Sequence, residues 1–596
     1  MSGIIWGIID LNEKQKQNEL GKDMMKKIKH CKVDKYDYYI NDNIFIGCGL
    51  QHITLESINE ILPYNDDKSN LIITCDAIID NRRELLYELE LDKNNVDVFT
   101  DSQYILMAYK KWGKECSKHL LGDFSFVIYD EKHKEVFCSR DQIGRRTLYY
   151  YYKDNIFAFC TLCEPLLTVF KEKPVLNERW ITDFLALASI IHVCEDEETI
   201  YKEIKQVQAA YNISIKINKF KKEQYWDPFV ELKEFKFNND DEYVDKFMKI
   251  YTEAVNCRVR GIKDIGLLVS GGLDSSSVAA ISVDLLKKQG RKLKTFTSVP
   301  MEGFVDKKEL YSINDESDYV RELSKFIGIS DINFYRAEGK NSFNVIDELI
   351  EIFEQPYKII DNSHWINSIG KLASDNNCKV VMKGQYGNVT VSFGDFFTHA
   401  KTLFYKGKII KLFLEINDAC KMHNMSRKKF TKTIFKTLLP YRIRKKKFIK
   451  NNPNYDRFET SPINKELIKK YNVKQRFDKL DLNIPIGKVT NLKEIRKLMV
   501  NRYVNSHVFS ISTKISLENG IIFRDPTADI RVIEFCLRLP TEQFVKGGID
   551  RRLIRNAMKG LLPEKIRMNI KESGVQGADC IQRLQPIWEK IYMSIH

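Results

Sequence analysis

Over roughly the first 220 residues, apolar positions fall in short runs bounded by turn-forming residues: GIIWGII, IFIGCGL, NLIITCDAII, FSFVIYD, KEVFCSR, LYYYYK and NIFAFC. Runs of that length and spacing read as strands, and the stretches 84–91 and 101–112 between them read as helices. Near-regular strands with a few helices predict a layered α+β domain over residues 1–228, closing at QYWDP (224–228). The acidic segment from Asn238 to Tyr243 reads as the linker. From 240 to 596 the rhythm becomes strand, loop, helix: DIGLLV, SGGLDSS and SVAAISVDLLKKQG in succession, then LKTFTSV with a long loop and a helix, then KVVMKG with a further loop. Such alternation predicts a parallel sheet wrapped by helices, so the fold class is a two-domain α/β chain. Beyond about 395 the pattern is mostly helical, with a basic helical region at about 395–480. No internal repeat is visible.

Composition narrows the class. At 596 residues the chain exceeds one ordinary core, and 43% hydrophobic with 30% charged residues, 14 prolines and 28 glycines excludes a collagen-like or largely disordered chain. No apolar run approaches the ~20 residues needed to cross a bilayer, and the start Met1-Ser2-Gly3-Ile4 lacks the basic region of a secretion signal, so a cytoplasmic enzyme is expected. Thirteen cysteines without a framework spacing read as reduced small hydrophobes. The net charge of +14 is unevenly placed: residues 401–450 hold sixteen Lys or Arg against two acids, Arg442, Arg444, Lys445, Lys446 and Lys447 among them. That stretch is either a solvated helical surface or a dock for an acidic peptide, a partner protein or RNA.

The strongest chemical signal is SGGLDSS at 270–276, after an apolar strand ending at Val269 and at the start of an amphipathic helix carrying Val278, Ile281 and Leu285. Gly271 and Gly272 let the backbone approach a phosphate, while Ser270, Ser275, Ser276 and the first helical amides can donate to it. Asp274 can hold Mg²⁺. The spacing is not that of a Walker loop. It is similar to the pyrophosphatase-type loop of enzymes that release pyrophosphate from ATP and leave AMP on the substrate.

GDFSFVIYDEKHKEVFCSRDQIGRRTLYYYY at 122–152, the QYWDP junction, SGGLDSS, NDES at 314–317 and FRDPTADIRVIEFCLRLP at 523–540 together resemble glutamine-hydrolysing asparagine synthetases over nearly the whole chain. The resemblance implies an N-terminal glutamine amidotransferase domain of the N-terminal-nucleophile (Ntn) hydrolase type. It also implies a C-terminal Rossmann-like ATP pyrophosphatase domain that adenylates a carboxylate with ATP and Mg²⁺ and lets an amine displace AMP.

Departures from the family pattern bear on the reaction. Ser2 stands where the family has its N-terminal Cys, and a hydroxyl needs a base where a thiolate does not. Asp76-Ala77 replaces an oxyanion-hole Asn-Gly, and a carboxylate there repels a developing oxyanion. Asp101 still matches the residue that holds the glutamine ammonium, yet the domain reads as a degenerate glutaminase kept for structure or partner binding. In GQYGN at 384–388, next to Gly384, Gln385 replaces a Glu expected to serve as base for ammonia, and Asn388 replaces a Mg²⁺-binding Asp. Gln385, Asn388 and GVQGAD at 574–579 resemble the subgroup that closes lasso peptides, in which the N-terminal amine of a ribosomal peptide attacks an adenylated Asp or Glu side chain. Tyr386 is either a proton acceptor or a packing residue, and Lys571 aligns with the family lysine over the reacting phosphate.

Other features carry less. Asp529 and Glu534 match family acids but suit helix placement and a salt bridge equally well. Cys160 and Cys163 have C-x-x-C spacing without a second pair, the runs Tyr36 to Tyr39 and Tyr149 to Tyr152 read as strand faces, and ten scattered histidines form no triad.

The leading expectation is an ATP-dependent amide ligase that closes a macrolactam in a ribosomal precursor peptide, served by a leader-binding protein and a protease. An asparagine synthetase using ammonia or glutamine is the first alternative. A tRNA-modifying adenylating enzyme and a catalytically dead binding module are the others, and nucleic acid is the less expected partner given the family-like N-terminal half.

Overall fold

The computed structural model describes residues 2–13, 17–92, 98–187, 194–230, 232–306, 311–423, 426–453, 455–456, 458–459, 461–480, 491–500 and 502–595. In the N-terminal half, two six-stranded antiparallel sheets lie face to face. The first runs in the order 205–206, 149–153, 156–160, 2–10, 44–51, 35–41, and the second in the order 219–224, 211–216, 135–140, 122–130, 71–79, 64–66. Strand Ser2–Asp10 packs on strand Leu71–Ile79, helix Asn18–Lys27 covers the first sheet and helix Asp101–Trp112 the second. Strands covered on both faces cannot alternate apolar with polar, which is why Leu71–Ile79 is buried along its whole length and reads as a continuous apolar run. The tyrosine runs are strand faces, in Lys35–Asn41 and Tyr149–Lys153.

The C-terminal half is built on a five-stranded parallel sheet in the order 331–335, 293–298, 264–268, 378–382, 522–524. The chain lays down its first strand in the middle, moves outward on one side, then crosses to the other. Connections therefore leave the ends of Asp264–Leu268 and Cys378–Met382 in opposite directions and open a crevice beyond them.

One reading of the linker is corrected. The segment from Asn238 to Tyr243 opens helix Asp240–Asn256: the Asn239 side chain accepts from the Glu242 amide, and Asp240, Asp241 and Glu242 fill the first turn. Acids cluster there because the helix N-terminus favours negative charge, the same composition a solvated linker would show. The helix expected at 84–91 spans Arg82–Glu88.

The halves meet through buried ion pairs. Arg524 bridges Asp80 and Asp123, Arg258 reaches Asp80 and Asp529, and Arg260 reaches Glu56 and Asp80. Arg145 donates to the Phe523 carbonyl at 3.2 Å and lies 4.8 Å from the Phe509 ring centroid. Asp529 is thus a structural acid. It caps helix Ile530–Leu537 and pairs with Arg258 and Arg531, while Glu534 accepts from the Trp226 indole at 3.0 Å.

Candidate active site

A cleft of about 580 Å³ occupies the crevice at the carboxyl end of the parallel sheet. Its polar side is the 270–275 loop, where the Ser270 and Ser275 hydroxyls are 2.9 Å apart and the Ser270 hydroxyl accepts from the Gly272 amide at 3.2 Å. Ser275 also accepts from the Ser270 amide, so the loop is braced before any ligand arrives. Helix Leu273–Lys288 begins here without a side-chain cap, leaving its first amides directed at the cleft, an arrangement suited to an anion. Of the predicted loop residues, Ser270, Gly271, Gly272, Asp274 and Ser275 line the cleft. Ser276 does not: it is fully buried and its hydroxyl faces the Ser270 carbonyl.

Opposite lies the 383–388 loop, of which Lys383, Gly384, Gln385 and Asn388 line the cleft. The two loops touch closely. A Cβ on Gly387 would stand 2.2 Å from Asp274 Cγ, and one on Gly384 2.8 Å from the Ser275 amide nitrogen, so glycine alone fits at either place. Burial, with Asp525 adding to it, pushes the Asp274 carboxyl up to about 6 against a hydrogen bond from Ser392 and the Arg551 guanidinium. Asp274 Oδ1 is buried and makes no hydrogen bond, and Ser392, which also faces Asn388 Oδ1 at 3.4 Å, joins these two side chains. An orphaned carboxylate oxygen beside an amide oxygen fits Mg²⁺, an ion that keeps waters and phosphate oxygens in most of its positions.

Tyr386 is corrected to a packing residue. Its amide donates to Asp525 at 2.9 Å, and its ring is buried with Ile143, Phe509 and Ile533 at the domain junction, off the cleft wall. Lys571 is placed differently from the expectation. Asn569, Glu572 and the whole 574–579 segment line the cleft, whereas Lys571 itself is exposed at the rim and not part of the wall.

A small flap closes one side. Ser312–Ile313 pairs in parallel with Ser573–Gly574, and from the loop that follows, Glu316 accepts from the Gly271 amide at 3.0 Å. Burial raises the Glu316 carboxyl above its ordinary value. NDES and GVQGAD thus meet although some 260 residues apart in the chain. The deep end is apolar, with Trp365, Ile366, Ile369, Ile511, Ile515 and Phe523.

In the N-terminal domain, Ser2 begins a buried strand next to strand Ile44–Gln51. Asp76 accepts from the Gly3 amide at 3.1 Å, with Arg146 at 3.5 Å, and burial raises its carboxyl. Ala77 is buried core. Asp101 accepts from the Ile79 amide at 3.2 Å and from Arg82 at 2.6 Å; although burial opposes it, the charged amino terminus of the chain, then Arg82 and Arg260, hold this carboxyl low. All thirteen cysteines are buried as free thiols, Cys160 ending a strand and Cys163 preceding a short 3₁₀ turn.

Among the charged cleft residues that escaped the sequence reading are Lys383, Arg551 and Glu572. Lys383 had a signal: a charged residue directly after a predicted parallel strand stands where ligands bind in such sheets.

Comparison with known proteins agrees with this architecture. Residues 1–226 match the glutamine amidotransferase domain family and residues 247–579 the asparagine synthase family. Asparagine synthetase 1 (glutamine-hydrolysing) of Bacillus subtilis is 21% identical over 578 residues, covering 94% of this chain and 84% of its own. A protein of Methanocaldococcus jannaschii named as an asparagine synthetase homologue is 28% identical over 413 residues, 66% of this chain and 75% of its own. The amidase chry2 of Gibberella zeae is 25% identical over 359 residues, 58% of this chain and half of its own. Among the described residues no helix is long and apolar enough to cross a membrane. With its parallel-sheet cleft, its SGGLDSS loop and a family match over more than half its length, the chain belongs to the asparagine synthase family of ATP-dependent carbon–nitrogen ligases.

Proposed function

We propose that this ligase uses ATP and Mg²⁺ to adenylate the side chain of an Asp or Glu in a ribosomal peptide, and that the peptide's own N-terminal amine then displaces AMP to close a macrolactam. One observation carries the reading: at the position of the ammonia-activating acid the cleft wall presents the Gln385 amide. The acids that do line the cleft are engaged elsewhere. Glu316 is on the Gly271 amide, Glu572 accepts from the Tyr319 hydroxyl, Asp579 takes Met301 and Arg583, and Asp274 fits the metal. Among the described residues a small free amine finds no unengaged carboxylate base there, whereas a tethered amine gains its reactivity from proximity, worth ~7–11 kcal/mol when the geometry is near attack.

In this reading Ser270, Ser275 and the uncapped first amides of helix Leu273–Lys288 hold the pyrophosphate, and Asp274 with Asn388 holds the metal, which supplies charge neutralisation on the phosphates. Lys571 reaches the reacting phosphate from the rim. The N-terminal domain serves structure, because Asp76 opposes an oxyanion. The basic helices grip the peptide or its delivery protein. Helix Ile409–Met422 supports the cleft wall, since Glu415 accepts from Gly548 at 3.2 Å shortly before Arg551, and Ile410 and Leu414 are exposed one turn apart on it. Helix Tyr441–Asn451 buries no residue.

Mass spectrometry with short peptides encoded beside this gene, leader removed, tests the proposal. A product lighter by one water, formed with AMP and pyrophosphate, supports it; asparagine formed from aspartate and ammonia at the rate of AMP release, with no dehydrated peptide, replaces it with asparagine synthetase. Asp274→Asn is expected to lower turnover ~10²–10³-fold.

A further inference from the structure

Lys383 leaves the end of strand Cys378–Met382, its amide bonded to the Arg524 carbonyl at 2.9 Å, and its side chain enters the cleft wall next to Gly384. Its Nζ lies 3.6 Å from the Phe523 ring centroid and 3.3 Å from the Ser512 hydroxyl. Among the described residues no carboxylate comes within the 4.0 Å of an ion pair. The next residue, Gly384, touches the backbone of Asp274 and Ser275, so this amine is one residue from the phosphate loop and beside the apolar end where an acyl group would lie.

Resting on the amide-forming reading above, we propose that Lys383 is the catalytic base that takes the proton from the amine attacking the activated carboxylate. As the C–N bond forms, the neutral Lys383 amine accepts one proton from the attacking nitrogen. The bond between the acyl carbon and the phosphate oxygen breaks, its electron pair leaving with AMP, and the lysine ammonium then returns the proton to solvent. A base must be neutral at working pH, and the surroundings favour that: burial and the Arg145 guanidinium push the ammonium down to about 7 against Asp525 and the face of the Phe523 ring. Arg145 comes from the N-terminal domain, Asp525 from the loop after strand Ile522–Arg524, Ser512 from helix Arg502–Asn519. The amidotransferase-like domain thus contributes a charge to the ligase site.

The test compares wild type, Lys383→Met and Lys383→Arg in two reactions: pyrophosphate–ATP exchange, which reports adenylation, and amide formation from either acceptor pair, the leader-free peptides or aspartate with ammonia. Whichever pair the wild type uses decides the substrate reading, and the variants are compared on that pair, so the two readings fail separately. Lys383→Met is expected to keep exchange within about threefold while losing ~10²-fold or more in amide formation. Lys383→Arg, which stays protonated, is expected not to restore it, and the wild-type kcat/KM should rise with pH through about 7 and lose that limb in both variants. Amide formation by Lys383→Met within about tenfold of wild type, wild-type rates in Lys383→Arg, or a parallel loss of exchange would each overturn the assignment.

Discussion

In water a lysine ammonium is held by its hydration shell; Lys383 has exchanged that shell for the Phe523 ring, the Ser512 hydroxyl and the repulsion of Arg145. The sign of the resulting pH dependence follows from its lowered folded-state value of about 7 against 10.5 in a free chain. Above pH ~10.5 neither state is charged and nothing is lost; as pH falls toward 7 the unfolded chain binds a proton that the folded one refuses, and stability declines. Lys383→Met is therefore expected to stabilise the fold by an amount that grows from pH 10 to 7 and reaches on the order of 3 kcal/mol, read as the difference in Tm across that range. A second residue-scale expectation concerns glutamine. In the proposed reading Asp76, on the Gly3 amide, stands at the place of the oxyanion, so Ser2→Cys alone should leave glutamate release at background in a coupled assay. Glutamate released by the unmodified protein in step with AMP would show the domain to be active.

Among the elements, the flap depends for its position on a missing side chain. Gly574 sits against Glu316, and a Cβ there would fall 2.3 Å from Oε1, pushing the carboxylate off the Gly271 amide and parting Ser312–Ile313 from Ser573–Gly574. The segment is exposed, so little folding energy is at stake. Gly574→Ala is accordingly expected to lower ATP turnover by about tenfold or more with a stability change under ~0.5 kcal/mol, since ångström misplacement in a site costs rate long before fold. Equal losses in Tm and turnover would mean the flap is part of the core.

For the whole molecule, the junction of the two halves sets both stability and the electrostatics of the cleft. Arg524, Arg258, Asp80 and Asp123 are almost fully buried, and removing one partner leaves a charge with neither water nor counter-ion. Arg524→Met is expected to cost ~3–5 kcal/mol in urea unfolding. The Asp123 carboxyl is held low by Arg145, Arg524 and Arg258 despite its burial. A depressed carboxylate contributes stability that is complete above the free-chain value near 4 and lost as pH falls through the folded value, so the junction should be insensitive to pH from 5 upward and weaken between about 4 and 2. The basic helices act at the same scale: if they hold an acidic peptide or partner, peptide KM should rise steeply between ~50 and ~200 mM salt while ATP binding changes little.

Much of this was legible in residue order because it depends on local periodicity. The strand runs, the change to strand–loop–helix rhythm and the SGGLDSS loop at a helix start follow from side chains within a few positions of one another. Contacts between distant segments were not legible. That Tyr386 turns into the junction and Lys383 into the cleft depends on which face of a loop meets Arg145, Phe509 and Phe523, more than a hundred residues away in sequence. Likewise Asp240 to Glu242 have the composition of either a linker or a helix start. Sequence determined the fold class and the chemistry available; packing decided which groups face the cleft, because burial and neighbouring charge are properties of the assembled tertiary structure and not of the chain.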